Sequence, residues 1–146
     1  MINFGFYTLP SDLKYTVNCM LSAIHTSNNP DNLHFNISFD PRLGGYDLES
    51  HKNMIFKFVD SSAVSFIDPH PYLVSGGWGK SASSLRAGLA AGLQMDNLID
   101  SCETDHILIA DSDVCFLMPG WDDYMFDLYS PDNCPVVAAS GNSPSQ

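Results

Sequence analysis

The residues with the most chemistry to offer lie in the stretch I-L-I-A-D-S-D, Ile107 to Asp113. Asp111 and Asp113 close a short apolar run and stand one residue apart. Within an extended strand, two such side chains point to opposite faces. Where the strand ends and the chain turns, both can face one crevice. Carboxylate oxygens are hard donors that suit Mg²⁺ or Mn²⁺. A divalent ion held there bridges to a diphosphate and neutralises its charge as that group departs. The plain alternative is that acids simply mark the solvated end of a strand, because D-x-D is short and common.

The elements that must position these acids alternate between strand and helix. Residues 2–9 (INFGFYTL) are apolar and aromatic and stop at Pro10, which predicts a buried first strand. Ser11 and Asp12 offer helix-capping side chains, and Leu13, Val17, Met20, Leu21 and Ile24 follow at helical spacing. Leu33, Phe35, Ile37 and Phe39 alternate with His34, Asn36, Ser38 and Asp40, the pattern of a half-buried strand. A helix over 48–61, a short strand over 63–67 and a loop over 69–79 come next. Leu85, Leu89 and Leu93 mark a long helix over 80–100, in which Gly88 and Gly92 would permit close approach to a neighbour. Residues 106–110 (HILIA) predict a strand central to the sheet. Residues 121–129 predict a short helix and residues 135–139 one more strand.

This order predicts an α/β fold, a Rossmann-like, mostly parallel sheet with helices on both faces. Ligands of such sheets bind beyond the carboxyl ends of the strands, where strand order reverses. Thr8 to Pro10, Asp40, Asp68 and Asp111 to Asp113 all fall at predicted carboxyl ends.

Composition narrows the choice of ligand. The 146 residues are 45% hydrophobic and 12% aromatic, enough for one domain with a real core. No apolar run approaches the ~20 residues of a membrane helix, and residues 1–9 lack the basic segment and cleavage site of a signal peptide. Six basic residues face seventeen acidic ones, for a net charge of -11. Residues 1–86 hold seven acids and all six bases, whereas residues 87–146 hold ten acids and no base. Nucleic-acid binding needs clustered Lys and Arg and is excluded on this ground, and anionic membrane is disfavoured likewise. An anionic ligand meeting the second half needs a metal cation. Cys19, Cys102, Cys115 and Cys134 show no C-x-x-C spacing and read as reduced core thiols of a cytoplasmic protein. The sequon Asn36-Ile37-Ser38 falls inside a predicted strand and reads as chance.

Two rival motifs are weaker. G-G-W-G-K-S, Gly76 to Ser81, fits the end of a phosphate-cradling P-loop, but Val74 stands where its first glycine belongs. The haloacid-dehalogenase phosphatases also use D-x-D, but on the first strand of their fold, and with Thr or Val where Cys115 stands.

Taken together, INFGFYTLP, LHFNISFD, GKSASSLRAGLAAGL and TDHILIADSDVCFLMPGW resemble the GT-A glycosyltransferases, and most of all glycosyltransferase family 2. The last segment is the most specific, with Thr-Asp before the strand, D-S-D at its end and Pro-Gly-Trp shortly after. The resemblance implies a metal-dependent glycosyltransferase that binds a nucleotide-diphosphate sugar of UDP or GDP type with Mn²⁺ or Mg²⁺. It implies Asp113 as direct metal ligand, Asp111 on the ribose or sharing the metal, and Asp40 on the nucleobase. It places Thr8, Leu9 and Pro10 along the base pocket. L-R-A-G-L, Leu85 to Leu89, resembles the family's R-N-x-G-L, with Arg86 where Asn is usual. Lys80 and Arg86 are the bases expected near the diphosphate.

GT-A catalytic domains usually exceed this length, so the resemblance covers a single nucleotide-binding domain over 1–146, without the acceptor-binding half or the general base. Asp122, Asp123, Asp127 and Asp132 read as a helix start and a turn. A truncated or degenerate, non-catalytic nucleotide-binding domain is the alternative. A face bared by a missing half would favour a homo-oligomer.

Overall fold

The computed structural model describes residues 1–40, 47–74, 84–104 and 106–128. Its strands are β1 (Ile2–Thr8), β2 (Leu33–Phe39), β3 (Val64–Phe66) and β4 (Ile107–Ile109). Its helices are α1 (Leu13–Thr26), α2 (Leu48–Ile55), α3 (Pro71–Val74), α4 (Ser84–Asp100) and α5 (Trp121–Leu128). Every strand pairing is parallel, and the order across the sheet is β3-β2-β1-β4. This is the expected mixed α/β, Rossmann-like arrangement. The strand expected over 135–139 lies outside the described residues. No described helix is long and apolar enough to cross a membrane.

The order carries the main functional consequence. The chain adds β2 and β3 on one side of β1, then crosses over and lays β4 on the other. Strand order therefore reverses between β1 and β4, and a crevice opens beyond their carboxyl ends. Among the described strands β1 and β2 occupy the middle, and β4 stands at one end of the order beside β1. The three residues of β4 are only half-buried, so a continuous apolar run did not here mean burial on both sides.

One face of the sheet is aromatic. Phe4 and Phe6 of β1 lie level with Phe35 and Ile37 of β2, and all four are fully buried. The Phe4 ring centroid lies 5.1 Å from Phe35, 5.6 Å from Phe116 and 5.5 Å from Trp121. Helix α1 covers this face with Leu13, Val17, Met20 and Ala23, whereas Leu21 and Ile24, expected on the same stripe, are only partly buried. Trp121 staples α5 onto the same layer, its indole Nε1 donating to the Ala23 carbonyl at 3.1 Å.

The opposite face is polar yet covered. Asn36 and Ser38 are buried, where alternation predicted a solvated face for β2. Helix α4 packs there, as parallel sheets require cover on both sides. Asn36 donates to Asn3 Oδ1 and to the Phe4 carbonyl, both at 3.1 Å, and Asn3 donates to Thr104 at 2.8 Å. A strand glycine lets α4 approach, while the surroundings of Gly88 lie outside the described residues. A Cβ on Gly5 would lie 3.0 Å from Ile107 Cδ1 and 3.5 Å from Leu98 Cδ1, whereas one on Gly92 would meet nothing within 4 Å.

The segment that leaves β4 is tied back to α1. The Phe116 amide donates to Ser22 Oγ at 3.0 Å, and the Gly120 amide to the Thr26 carbonyl at 2.7 Å. Gly120 sits at φ +72°, with Asn28 Nδ2 2.8 Å from where a Cβ would stand, so the turn into α5 requires glycine. Asp122, in the first turn of α5, is 1% exposed and accepts from Ser27 Oγ at 2.6 Å and from the Asn28 and Asn29 amides at 3.0 Å. Its expected role as a helix-start acid is thus more specific than a dipole contact, because it locks the end of α1 to the start of α5.

Burial by itself pushes the Asp122 carboxyl up. The three donors together outweigh it and hold the group at about 2, against the ordinary 3.8. A depressed pKa means that the charged form stabilises the fold, fully above pH about 4 and progressively less as pH falls through about 2. Asp122→Asn is therefore expected to cost roughly 2 kcal/mol near neutral pH. That difference should shrink toward zero near pH 2. Urea denaturation of both proteins across this range measures it, and an equal gap at both ends would show that charge plays no part.

Candidate functional site

A cleft of about 600 Å³ lies where strand order reverses, lined by Tyr7, Asp12, Tyr15, Asp111, Ser112 and Asp113. Tyr7 comes from the carboxyl end of β1. Asp12 and Tyr15 come from the entry to α1, which runs back against the strands and so begins at the same edge. The last three follow β4, whose ladder with β1 extends one step further through the Ala110 amide to the Gly5 carbonyl at 3.2 Å. The Val114 amide closes a turn onto the Asp111 carbonyl at 3.3 Å. That turn is the device anticipated for D-S-D, since it brings two alternate residues to one crevice. Both carboxylates are exposed.

Asp12 adds a third acid. It holds the N-cap position of α1 but makes no side-chain capping bond, and Ser11 Oγ donates to its Oδ1 at 3.1 Å. Its carboxylate is thereby left to the cleft rather than to the helix. Three acids, from the entry to α1 and the turn after β4, line the cleft and make it strongly negative.

Among the described residues no three His, Cys, Asp or Glu side chains converge on one point, so the protein alone builds no closed cage. Two carboxylates with open cleft beside them instead suit an ion that keeps waters and takes its remaining ligands from phosphate, the usual Mg²⁺ arrangement. Asp113 and Asp111 are the residues that would hold it.

Cys19 is buried on α1 close to this turn. Burial first, then the neighbouring Cys115 and Asp113, push its thiol up to about 12. Buried and raised in this way, it is a protonated core thiol at neutral pH. Cys102 is half-buried and Cys115 exposed, so the core-thiol expectation holds for Cys19 and not for these two. Cys134 lies outside the described residues.

The remaining expected site residues are placed as follows. Thr8 is buried, and its hydroxyl pairs with Thr16 at 2.8 Å, facing α1. Leu9 and Pro10 are half-buried, and neither they nor Thr8 line the cleft. Asp40 is fully buried just past β2, its amide donating to the Thr8 carbonyl at 2.9 Å, and its carboxylate accepts from the Tyr7 hydroxyl. It too stands off the cleft lining, with Tyr7 in front. Arg86 belongs to the first turn of α4, but its side chain lies outside the described residues. Lys80 and the whole G-G-W-G-K-S stretch, with Trp78, also lie outside them.

Three lining residues lie outside the D-S-D motif: Tyr7, Asp12 and Tyr15. Tyr7 falls with Phe4 and Phe6 in the run 2–9 that reads as one buried strand. Strand parity separates it from them, because it shares its face with Asn3 and Gly5. Tyr15 falls off the Leu13, Val17, Met20 stripe and is 45% exposed, a cue available from spacing alone.

Comparison with protein-family models, with curated proteins and with solved structures found no match to this chain.

Proposed function

We propose that this chain binds a nucleotide-diphosphate sugar through a divalent metal and serves glycosyl transfer from it. What carries the reading is the position of D-S-D. Two exposed carboxylates follow the strand at which order reverses, on a cleft large enough for a nucleotide. Asp113 and Asp111 would hold the ion, which would supply positive charge against that developing on a departing diphosphate. The acids of the cleft, Asp12 included, repel a bare diphosphate, which makes binding conditional on the metal. Tyr7 and Tyr15 offer ring surface to the flat base. Arg86, in the α4 turn at the same edge of the sheet, is the base we assign to the phosphates. The free thiols of Cys19, Cys102 and Cys115 accord with a cytoplasmic setting.

Calorimetric titration of UDP and GDP, with and without Mn²⁺, tests the reading. Heat that appears only with Mn²⁺ is expected for one of the two nucleotides. Absence of binding under every condition would reject it. A nucleotide that binds with Mn²⁺ while its sugar conjugate is never cleaved or transferred would favour a non-catalytic nucleotide-binding domain instead.

A further inference from the structure

The family resemblance implies that Asp40 touches the nucleobase, and the geometry of this chain points elsewhere. Asp40 has no exposed surface. Its backbone is fixed by the bond from its amide to the Thr8 carbonyl, which carries the β1–β2 ladder one residue beyond Phe39. By alternation its side chain shares a face with Ser38, and Ser38 is the register partner of Tyr7. The Tyr7 hydroxyl donates to Asp40 Oδ2, and it is Tyr7 that lines the cleft. A carboxylate removed from water must be hydrogen-bonded, and an O–H donor to a charged oxygen is one of the stronger bonds available. The phenol is thus tethered at its far end, and its ring cannot swing without breaking that bond.

We propose that Asp40 is a positioning residue for Tyr7, fixing the ring that walls the cleft, and that it does not itself touch the ligand. The proposal rests on the nucleotide reading for its effect on binding, though not for the tether itself. An exposed ring on a single-bonded stem costs rotational freedom when a ligand packs on it. A ring already fixed has lost that freedom before the ligand arrives. Asp40 therefore raises affinity through Tyr7.

The tether is tested without nucleotide. Ring carbon–proton correlations of Tyr7 are assigned by their absence in Tyr7→Phe. In Asp40→Ala these signals should move toward those of a freely rotating tyrosine, while Asp40→Asn, which keeps an acceptor, stays near wild type. The Trp121 indole signal, reporting the bond to Ala23, verifies that each variant is folded. An unmoved Tyr7 ring in folded Asp40→Ala overturns the proposal.

The effect on binding is tested by a double-mutant cycle, using UDP or GDP with Mn²⁺, whichever the wild type binds. Tyr7→Phe, Asp40→Ala and the double variant should each lose about the same, severalfold to roughly tenfold, while Asp40→Asn stays near wild type. Removing both partners then costs no more than removing one. Additive losses would mean that Asp40 meets the ligand directly, which overturns the proposal and leaves the nucleotide reading intact. If wild type binds neither nucleotide, the nucleotide reading fails, and the ring measurement still decides the tether.

Discussion

Asp113→Asn is expected to lower the Mn²⁺-dependent affinity for nucleoside diphosphate by roughly 100-fold or more. Loss of a partner one shell further out already costs 10- to 100-fold in metal affinity, and Asp113 is assigned to the ion itself. The same substitution removes one of three acids from the cleft wall. Without metal, the variant should therefore bind the bare nucleotide no worse than wild type, and slightly better at low salt. The opposite signs make this test sharp, because a general loss of structure lowers both affinities together. Stability should be nearly unchanged, since the side chain is exposed and makes no bond that holds the fold. Calorimetry in paired buffers with and without Mn²⁺ reads both signs at once. Equal losses with and without metal would remove Asp113 from any metal role.

The second large effect is on the fold. Phe4→Ala should destabilise the protein by about 3–5 kcal/mol, the cost of truncating a fully buried aromatic in a core that cannot collapse onto the gap. Phe4 is 0% exposed and sits among Phe6, Phe35, Phe116 and Trp121, rings contributed by β1, β2, the segment after β4 and α5. One side chain thus joins the two strands at the middle of the sheet to the segment that carries the D-S-D turn. Urea denaturation measures the change, and a cost under about 1 kcal/mol would mean that the aromatic layer repacks freely. Where the variant stays folded, weaker metal-dependent binding is also expected, because Phe116 and Trp121 anchor the chain just after Asp113.

Much of this was legible in the residues. Strand and helix alternate in the sequence with few ambiguous segments, and a parallel sheet follows because consecutive strands joined by helices run the same way. D-S-D at the end of I-L-I-A was readable as a carboxyl-edge pair because the apolar run defines where the strand stops. Other features depended on packing that one strand's pattern does not contain. His34, Asn36 and Ser38 alternate like a solvated face, but whether water or α4 covers them is decided by a helix some fifty residues later in the chain. The run HILIA reads as a strand buried on both sides, yet among the described strands it has only β1 beside it.

The site shows the same division. The acids after β4 were readable as a carboxyl-edge pair, although D-x-D alone is short and common, because the apolar run before them and the Pro-Gly-Trp after them single this copy out. Thr8 to Pro10 and Asp40 were placed on the pocket by likeness to a motif, and likeness carries position along the strand but not the direction of each side chain. Counting by twos from Phe4 assigns Thr8 to the α1 face and Tyr7 to the other, which is where their hydrogen bonds to Thr16 and Asp40 place them. Asp12 was read as a helix cap from its position, and it holds that position while its carboxylate does something else.

The most direct test of the account is a crystal grown with Mn²⁺ and UDP or GDP, with diffraction recorded at the manganese absorption edge. A single strong anomalous peak is expected in the cleft between β1 and β4, in bonding contact with an Asp113 carboxylate oxygen and with the diphosphate. A peak elsewhere on the protein, or ordered nucleotide in the cleft with no manganese at Asp113, would contradict it.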